Sequence, residues 1–311
     1  MSIEVAGMWK YPVTGAPGVP IEAAEFRGGG FREDRVFLVA EETPDGLVRL
    51  GSKEAPDLMK TSFDETGNVM YLDSEEIVLP YNNYRTNADP DTYCDEFGDP
   101  TPVWQSGAYL DRVFSEFLDR PVRFLQKTRN WQIGDKIPNE QRAVAPLHII
   151  AMESVAAIAG ASGAWKADVR RFRPNIALEG FDGPHDELEL IGKTIVLGNT
   201  ATRALIHIER GTPRCKVTSF DPETGENQSD ISLRVMPKEK NRTGKQVASA
   251  GVYGYEIGNM GARLSIGDRF TIFYTDGVTR ADMQQAHTRV AARLGDVASR
   301  GFDTVSTEEL E

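Results

Sequence analysis

Gly211-Thr212-Pro213-Arg214-Cys215-Lys216-Val217-Thr218, followed by the turn Asp221-Pro222-Glu223-Thr224-Gly225, is the stretch on which the fold assignment depends. It contains one of only two cysteines in a chain of 311 residues. Arg214 and Lys216 flank Cys215, and nearby positive charges favour the thiolate form of a cysteine. A thiolate can attack, be oxidised, carry sulfur or bind a soft metal. Cys215 is therefore a candidate reactive or metal-binding residue, and a buried structural cysteine is the alternative.

A cationic segment lies upstream and reads Arg170-Arg171-Phe172-Arg173-Pro174-Asn175-Ile176. The planar guanidinium of an arginine matches a phosphate through two parallel hydrogen bonds, and an asparagine amide offers both a donor and an acceptor. The segment therefore predicts an anion site that includes Arg171, Arg173 and Asn175. The alternative is the start of a strand fixed by Pro174, with Arg173 on a solvated face.

The composition limits the partners of the protein. Its formal charge is −12, from 47 acidic and 35 basic residues, which argues against general binding to nucleic acid or to an anionic membrane. No apolar run approaches the roughly 20 residues that span a bilayer, and the N-terminus lacks the features of a signal peptide. Two cysteines cannot form a disulfide framework and fit a reducing compartment. We therefore expect a cytoplasmic protein without nucleic-acid or membrane partners.

The first part of the chain, up to about residue 135, is predicted to contain short strands separated by Gly, Pro, Asp and Asn. The strand candidates are Ile3–Lys10, Arg35–Ala40, Leu47–Leu50 and Val69–Leu72. One helix is indicated by apolar residues at helical spacing from Leu110 to Leu118, with Ser106 as its N-cap. The polar segment Thr128–Asn139 is the predicted domain boundary.

The second part begins with a predicted helix near Ala151–Ala161 and continues with strands. The strand candidates are Asn175–Leu178, Thr194–Leu197, Ala204–Glu209, Cys215–Phe220, Val252–Ile257 and Phe270–Tyr274. Many short strands with Gly, Pro and Asp turns are typical of a closed or nearly closed barrel. An apolar stripe between Thr279 and Gly301 predicts a C-terminal amphipathic helix.

The order of these motifs resembles the MOSC domain, named for the C-termini of molybdenum cofactor sulfurases. The resemblance is closest to the subgroup with an additional N-terminal β domain, which includes the mitochondrial amidoxime-reducing component and its bacterial relatives. The matching segments, in chain order, are Tyr11-Pro12-Val13, Asp34-Arg35, Pro146 through Ser154, Arg173-Pro174-Asn175-Ile176, Glu189-Leu190-Ile191-Gly192, Arg214-Cys215, Asp221-Pro222-Glu223-Thr224-Gly225 and Gly267-Asp268. The resemblance implies a mainly β (α+β) protein with a few peripheral helices. Its parts would be an N-terminal β domain at residues 1–135, a MOSC-type β-barrel domain at residues 136–275, and a C-terminal helix and tail at residues 276–311.

The resemblance also implies a cofactor site. In that family the cysteine matching Cys215 is the protein ligand to molybdenum, and the dithiolene of molybdopterin supplies two further sulfur ligands. Arg173, Asn175 and Arg35 would hold the pterin and its phosphate. The other implied cofactor-binding residues are Arg171, Arg214, Ser154, Thr14 and Gly15. The implied activity is that of a molybdenum-cofactor oxidoreductase, which reduces N-hydroxylated small molecules with electrons from a separate flavin or iron–sulfur protein.

The chain departs from the family pattern near the predicted phosphate site. The Tyr-Pro-Val run of the family continues with Lys and Ser, whereas here it continues with Thr14-Gly15. The hydroxyl of Thr14 and the N–H of Gly15 can still donate hydrogen bonds, and Arg35 supplies positive charge. Ser154 matches a family serine, with a helix cap as its alternative role. Two further hypotheses stay open, a persulfide sulfur carrier that uses Cys215 and a binding module without catalysis.

Overall fold

Strands dominate the computed structural model of the chain. The model describes residues 2–27, 29–73, 75–81, 91–96, 99–127, 146–163, 166–198, 203–228, 231–240, 245–257 and 262–273. The α-helices of these residues are α1 (Ala108–Phe117), α2 (Met152–Ser162) and α3 (Ile231–Val235). None of the described helices has the length and apolar character that crossing a bilayer requires. The prediction of a mainly β protein with a few peripheral helices is confirmed.

The described strands are short, and most lie near a turn. In chain order they are β1 (Glu4–Lys10), β2 (Val19–Pro20), β3 (Ala23–Arg27), β4 (Gly30–Phe31), β5 (Phe37–Thr43), β6 (Gly46–Leu50), β7 (Ser62–Phe63), β8 (Val69–Leu72), β9 (Glu75–Val78), β10 (Thr92–Glu96), β11 (Asp99–Gln105), β12 (Val122–Lys127), β13 (Leu147–Ala151), β14 (Ile176–Glu179), β15 (Thr194–Leu197), β16 (Ala204–Pro213), β17 (Lys238–Lys240), β18 (Gln246–Glu256), β19 (Arg263–Ser265) and β20 (Phe270–Phe273).

The largest sheet has the strand order β2-β1-β14-β13-β18-β16-β15-β20, and β17 pairs with β18 beside it. β13 and β14 are parallel, which requires a crossover, and α2 lies in that crossover. A bridge between Glu4 and Arg269, together with a 3.0 Å hydrogen bond from Val5 N–H to the Asp268 carbonyl, brings the start of β20 against β1. The sheet therefore curves until its two ends meet around a buried apolar core.

A second set of strands, β10-β11-β12-β5-β6, forms a closed barrel. Its interior is filled by alternate residues of the strands, including Leu38, Cys94, Val103 and Leu125, each of them fully buried. Helix α1 packs on the outside, where Phe114 stacks on a barrel phenylalanine at a ring-centroid distance of 4.4 Å. These buried residues give the barrel in the N-terminal part of the chain a core of its own.

Two three-stranded sheets, β19-β3-β4 and β7-β8-β9, complete the fold. β1 and β3, from the first 27 residues, pair with β14 and β19 of the second part of the chain. The N-terminal segment therefore contributes strands to the second part. The predicted boundary near residues 135 and 136 lies outside the described residues, so the domain limits stay a prediction.

Several local predictions are wrong. Cys215–Phe220 is not a strand, because Lys216–Ser219 forms a 3-10 helix whose hydrogen bonds close locally, such as Thr218 N–H to the Cys215 carbonyl at 3.3 Å. Ser106 does not cap α1, since the helix starts after Gly107, whose φ of 113° favours glycine. The predicted helix between Thr279 and Gly301, and residues 276–311 in general, lie outside the described residues.

Candidate active site

Two arginines from distant parts of the sequence meet at Tyr11, which follows β1. The guanidinium carbon of Arg35 lies 4.7 Å from the centre of the Tyr11 ring, and that of Arg173 lies 4.5 Å from it. The Tyr11 hydroxyl donates to the carbonyl of Pro174 at 3.1 Å. Tyr11 is buried, so the two charges are held next to an apolar ring away from bulk water.

The positive charge of Arg35 is balanced by a neighbouring carboxylate. Its guanidinium forms an ion pair with Asp34 and donates to Asn175 Oδ1 at 3.1 Å and to the Arg173 carbonyl at 3.4 Å. Burial alone would lower the pKa of Arg35, but the neighbouring Asp34 carboxylate outweighs it and the pKa is raised. The Arg35 guanidinium is therefore a fixed cation at this site.

Arg173 lacks such a counter-charge. Among the described residues its guanidinium donates only to the sulfur of Met59, at 3.5 Å, and a thioether is a weak acceptor. Burial, together with the nearby charges of Arg35 and Arg214, lowers the pKa of Arg173 to about 10. A partly buried guanidinium without an oxygen acceptor is costly unless an anion binds to it.

Arg214 joins this group of cations and leads directly into Cys215. Its guanidinium donates to the Phe172 carbonyl at 2.7 Å, and its backbone N–H donates to the Ala248 carbonyl at 2.7 Å. Burial lowers the pKa of Arg214. Cys215 itself is exposed, and its carbonyl accepts the backbone N–H and the hydroxyl of Thr218. The structure thus places an accessible thiol next to an arginine whose guanidinium is partly buried.

Asn175 is fully buried and binds three parts of the protein. Its Oδ1 accepts from the His148 N–H at 3.1 Å as well as from Arg35, and its Nδ2 donates to the Trp9 carbonyl at 3.3 Å. These contacts join β1, β13 and the Arg35 loop. Asn175 therefore orients Arg35 from within the protein.

Arg171 and Ser154 also have partners within the protein. Arg171 donates to the Phe220 carbonyl at 3.0 Å, to Asp221 at 3.1 Å and to Gln228 at 2.6 Å, so it fixes the turn that follows Cys215. The Ser154 hydroxyl donates to Glu187 at 2.6 Å and accepts from the His185 N–H at 2.8 Å. These contacts favour a structural role for both side chains, and Ser154 does not cap α2.

Several buried hydroxyls lack a partner among the described residues. They belong to Thr14, Thr212 and Ser219, and the Nε of Arg214 shares this property. Gly15, beside Thr14, has a φ of 94° and packs so closely that an added Cβ would lie 3.3 Å from the Ser52 nitrogen. Buried polar groups are normally hydrogen-bonded, so these atoms are ready to bind a polar ligand.

Sequence reasoning missed the contribution of Tyr11, Met59 and His148. His148 lies between the carbonyls of Arg173 and Ala250, at 3.4 and 3.2 Å from its ring nitrogens. Burial lowers its pKa well below the ordinary 6.5, so its ring is neutral. The Tyr-Pro-Val motif marks Tyr11 as part of the pattern, but no local signal indicates that Met59 reaches Arg173 across 114 residues.

Comparisons with known proteins agree with the motif order. Residues 136–271 match the sequence model of the MOSC domain, so the chain contains a MOSC domain. The chain is 26% identical over 288 residues to mitochondrial amidoxime reducing component 2 of Bos taurus, covering 85% of this chain and 81% of that protein. For the protein of the same name from Homo sapiens, the identity is 27% over 239 residues, with coverage of 71% and 68%. The crystal structure of the YUAD protein from Bacillus subtilis aligns with a TM-score of 0.37 at 11% identity, covering 87% of this chain and 94% of that chain, which is too distant to inform the assignment.

Proposed function

We propose that the protein is a molybdenum-cofactor-dependent oxidoreductase that reduces N-hydroxylated small molecules. The observation that carries the proposal is the uncompensated charge beside Cys215. The guanidiniums of Arg35, Arg173 and Arg214 lie close together, and Asp34 is the carboxylate paired with them among the described residues. A phosphate dianion would balance this excess of positive charge.

The residues present fit such a cofactor. The unpartnered hydroxyls of Thr14, Thr212 and Ser219 and the unpartnered Nε of Arg214 offer hydrogen bonds to a polar ligand. An exposed cysteine thiolate is an anionic, soft ligand and suits molybdenum. The names of the relatives, amidoxime reducing components, support the same class of protein. The partly buried arginines would supply the positive charge that the family's lysine provides at position 14.

Each residue has a role that follows from its contacts. Arg173 and Arg35 hold the phosphate, since they combine positive charge with donors in a fixed plane. Asn175 orients Arg35, and Arg171 fixes the turn after Cys215. Cys215 binds the metal from the exposed start of its 3-10 helix. Neither Arg171 nor Ser154 needs to touch the cofactor in this arrangement.

The reaction needs two electrons and two protons for each substrate molecule. The N–O bond breaks, the nitrogen takes up one proton, and the hydroxyl oxygen takes up the other and leaves as water. The bound cofactor would supply the two-electron and oxygen-atom chemistry that side chains do not have. We propose that a separate flavin or iron–sulfur protein delivers the electrons, because no redox group is expected from the side chains themselves.

The test of this function uses protein purified without oxygen from a host that makes the cofactor. Reduced viologen dye would serve as electron donor and an N-hydroxylated amidine as substrate, and chromatography would measure the amidine formed. We expect amidine formation by the wild type and only the protein-free background rate with Cys215→Ser. Protein that contains molybdenum but converts none of several N-hydroxylated amidines, bases and hydroxylamines would contradict the proposal.

The exposure of Cys215 also favours a second candidate, a persulfide sulfur carrier. An exposed thiol can accept a sulfur atom from the persulfide of a cysteine desulfurase and pass it on. Mass spectrometry after incubation with such an enzyme and cysteine would find one additional sulfur atom, located on Cys215 and removed by a thiol reductant. No added sulfur would exclude this candidate.

A further inference from the structure

The ring of Tyr11 contacts both site arginines, and its polar groups bond Arg35 itself and the residues next to the two arginines. Its backbone N–H donates to Asp34 Oδ1 at 2.7 Å, and the other oxygen of Asp34 pairs with Arg35. Its carbonyl accepts the backbone N–H of Arg35 at 2.6 Å. Its hydroxyl donates to the carbonyl of Pro174, the residue after Arg173. Tyr11 therefore joins two segments that are 23 and 163 residues away in the sequence.

Both arginines have an unusual backbone conformation. The φ angle is 50° at Arg35 and 52° at Arg173, in the left-handed region that residues other than glycine seldom adopt. Such conformations persist where the surroundings determine them, and they concentrate at ligand sites. The hydrogen bonds of Tyr11 to Arg35 and to Pro174 lie next to both strained positions. They are thus placed to hold the two side chains in fixed directions.

The ring of Tyr11 stabilises the two guanidiniums without using their hydrogen-bond donors. A cation over an aromatic face is attracted by the π electrons, whereas the N–H groups of a guanidinium point outward within its own plane. A carboxylate in the place of the ring would occupy those donors. The ring therefore keeps the charge of Arg173 in place, and the N–H groups that do not bond Met59 stay available to a ligand.

We propose that Tyr11 is a positioning residue that presents Arg35 and Arg173 together to a phosphate monoester. The identity of that monoester, the phosphate of the cofactor, rests on the proposed function. The positioning role does not depend on that identity, because the affinity of any phosphate for both guanidiniums depends on where the ring holds them.

The chain offers a matched control in Tyr81. Like Tyr11 it is buried, its hydroxyl donates to a backbone carbonyl, that of Gly67 at 3.2 Å, and a cation, Lys10, lies 6.0 Å from its ring centre. It packs on Phe37 in the core that also contains α1. Tyr81→Leu should therefore destabilise the fold much as Tyr11→Leu does, without touching the site arginines.

The experiment is a calorimetric titration of cofactor-free protein with inorganic phosphate at constant ionic strength. We expect Tyr11→Leu to weaken phosphate binding about tenfold through the loss of two ring contacts, and Tyr11→Phe to stay within about threefold of the wild type. Tyr81→Leu should bind phosphate like the wild type. Tyr11→Met, which fills the space with a flexible side chain, serves as a second ring-free variant if Tyr11→Leu does not fold.

The inference is overturned if ring-free variants at position 11 bind phosphate as tightly as the wild type, if Tyr81→Leu weakens binding equally, or if the wild type binds no phosphate. Molybdenum content, measured separately, distinguishes this result from the proposed function. Tyrosine-dependent phosphate binding in a protein that never acquires molybdenum would support the positioning role and contradict the cofactor assignment. Unchanged molybdenum content in Tyr11→Leu with weakened phosphate binding would contradict the assignment of the phosphate to the cofactor.

Discussion

A buried cation lies inside the five-stranded barrel and partly buried cations lie at the candidate site, and their surroundings differ. In the barrel, Lys127 Nζ lies 2.8 Å from one oxygen of Glu96 and 2.9 Å from the other, and Thr101 donates to the same carboxylate at 3.3 Å. At the site, Arg173 has a tyrosine ring and a thioether instead. The barrel cation has a carboxylate as its partner, whereas Arg173 has none among the described residues.

The difference separates a structural role from a functional one. Burial alone would raise the pKa of Glu96, but Lys127, with Arg49 and Thr101, outweighs it and the pKa is lowered. Burial lowers the pKa of Lys127 in turn, and the carboxylate of Glu96 opposes that shift. The charge of Arg173 gains no such stabilisation and is retained at a cost to the folded state. A charged group that the protein leaves without a counter-charge therefore indicates a ligand site better than the burial of a charged group alone does.

The largest effect on stability is expected from Lys127→Met. The substitution leaves Glu96 buried without its closest cation, with Arg49 at 3.9 Å as the remaining one. Removal of one partner of a buried ion pair destabilises a protein by roughly 3–5 kcal/mol. Urea unfolding of the cofactor-free protein measures this loss. A loss below about 1 kcal/mol would mean that the barrel pair is no more structural than an exposed one.

Ser154→Ala should have an intermediate effect. It removes the hydroxyl between Glu187 and the His185 N–H, and both groups are then left without that partner. Unsatisfied buried groups cost about 1–3 kcal/mol each. We expect this loss in urea unfolding and a normal molybdenum content, measured by elemental analysis. A stably folded Ser154→Ala variant that lost its molybdenum would instead indicate that Ser154 binds the cofactor.

The stability of the protein should depend on pH through the carboxyl of Glu187. Burial raises its pKa above the ordinary 4.5, so the folded protein binds this proton more tightly than the unfolded chain does. That stabilisation is complete below the unfolded pKa and is lost as the pH rises through the folded pKa. Relative to Glu187→Gln, the wild type should therefore lose stability as the pH rises above the ordinary carboxyl pKa of 4.5. A constant difference in the free energy of unfolding across this range would contradict the raised pKa.

The smallest effect on stability is expected from Arg173→Met, the counterpart of Lys127→Met. Removal of a partly buried cation without a counter-charge should change the free energy of unfolding of the cofactor-free protein by less than about 1 kcal/mol, or increase it. The same variant should retain little pterin after purification, as measured by fluorescence of the oxidised pterin. A large loss of stability with unchanged pterin content would make the two clusters equivalent and would remove the basis of the comparison.

Much of the fold follows from local pattern. Val69–Leu72 and Thr194–Leu197 were predictable to the residue, because each is a short apolar or alternating run bounded by Gly, Asp or Asn. Cys215–Phe220 was not predictable as a 3-10 helix, since its side chains suit a strand and the hydrogen bonds that close the helix are not visible in the sequence. The burial of Glu187 within the acidic run from Asp182 to Glu189 was not predictable either, because acidic residues normally lie on the surface.

The sequence predicts which types of residue form the candidate site better than it predicts the contacts between them. The cationic segment and the flanked cysteine identify Arg173 and Cys215 from the sequence. The commitment of Arg171 to the turn at Asp221 and of Asn175 to Arg35 depends on contacts that span 50 and 140 residues. Local patterns cannot distinguish an arginine that binds the protein from one that awaits a ligand, since both lie in the same cationic segment.

The most direct test of the account is the molybdenum content of protein purified without oxygen from a host that makes the cofactor, compared between the wild type and Cys215→Ser. Elemental analysis should find about one molybdenum atom per wild-type chain, since one thiolate provides one metal ligand site. It should find almost none in Cys215→Ser, which should unfold at the same temperature as cofactor-free wild type. A wild type with neither molybdenum nor pterin, or a Cys215→Ser variant that keeps its molybdenum, would contradict the central claim that the arginines and Cys215 form a molybdenum-cofactor site.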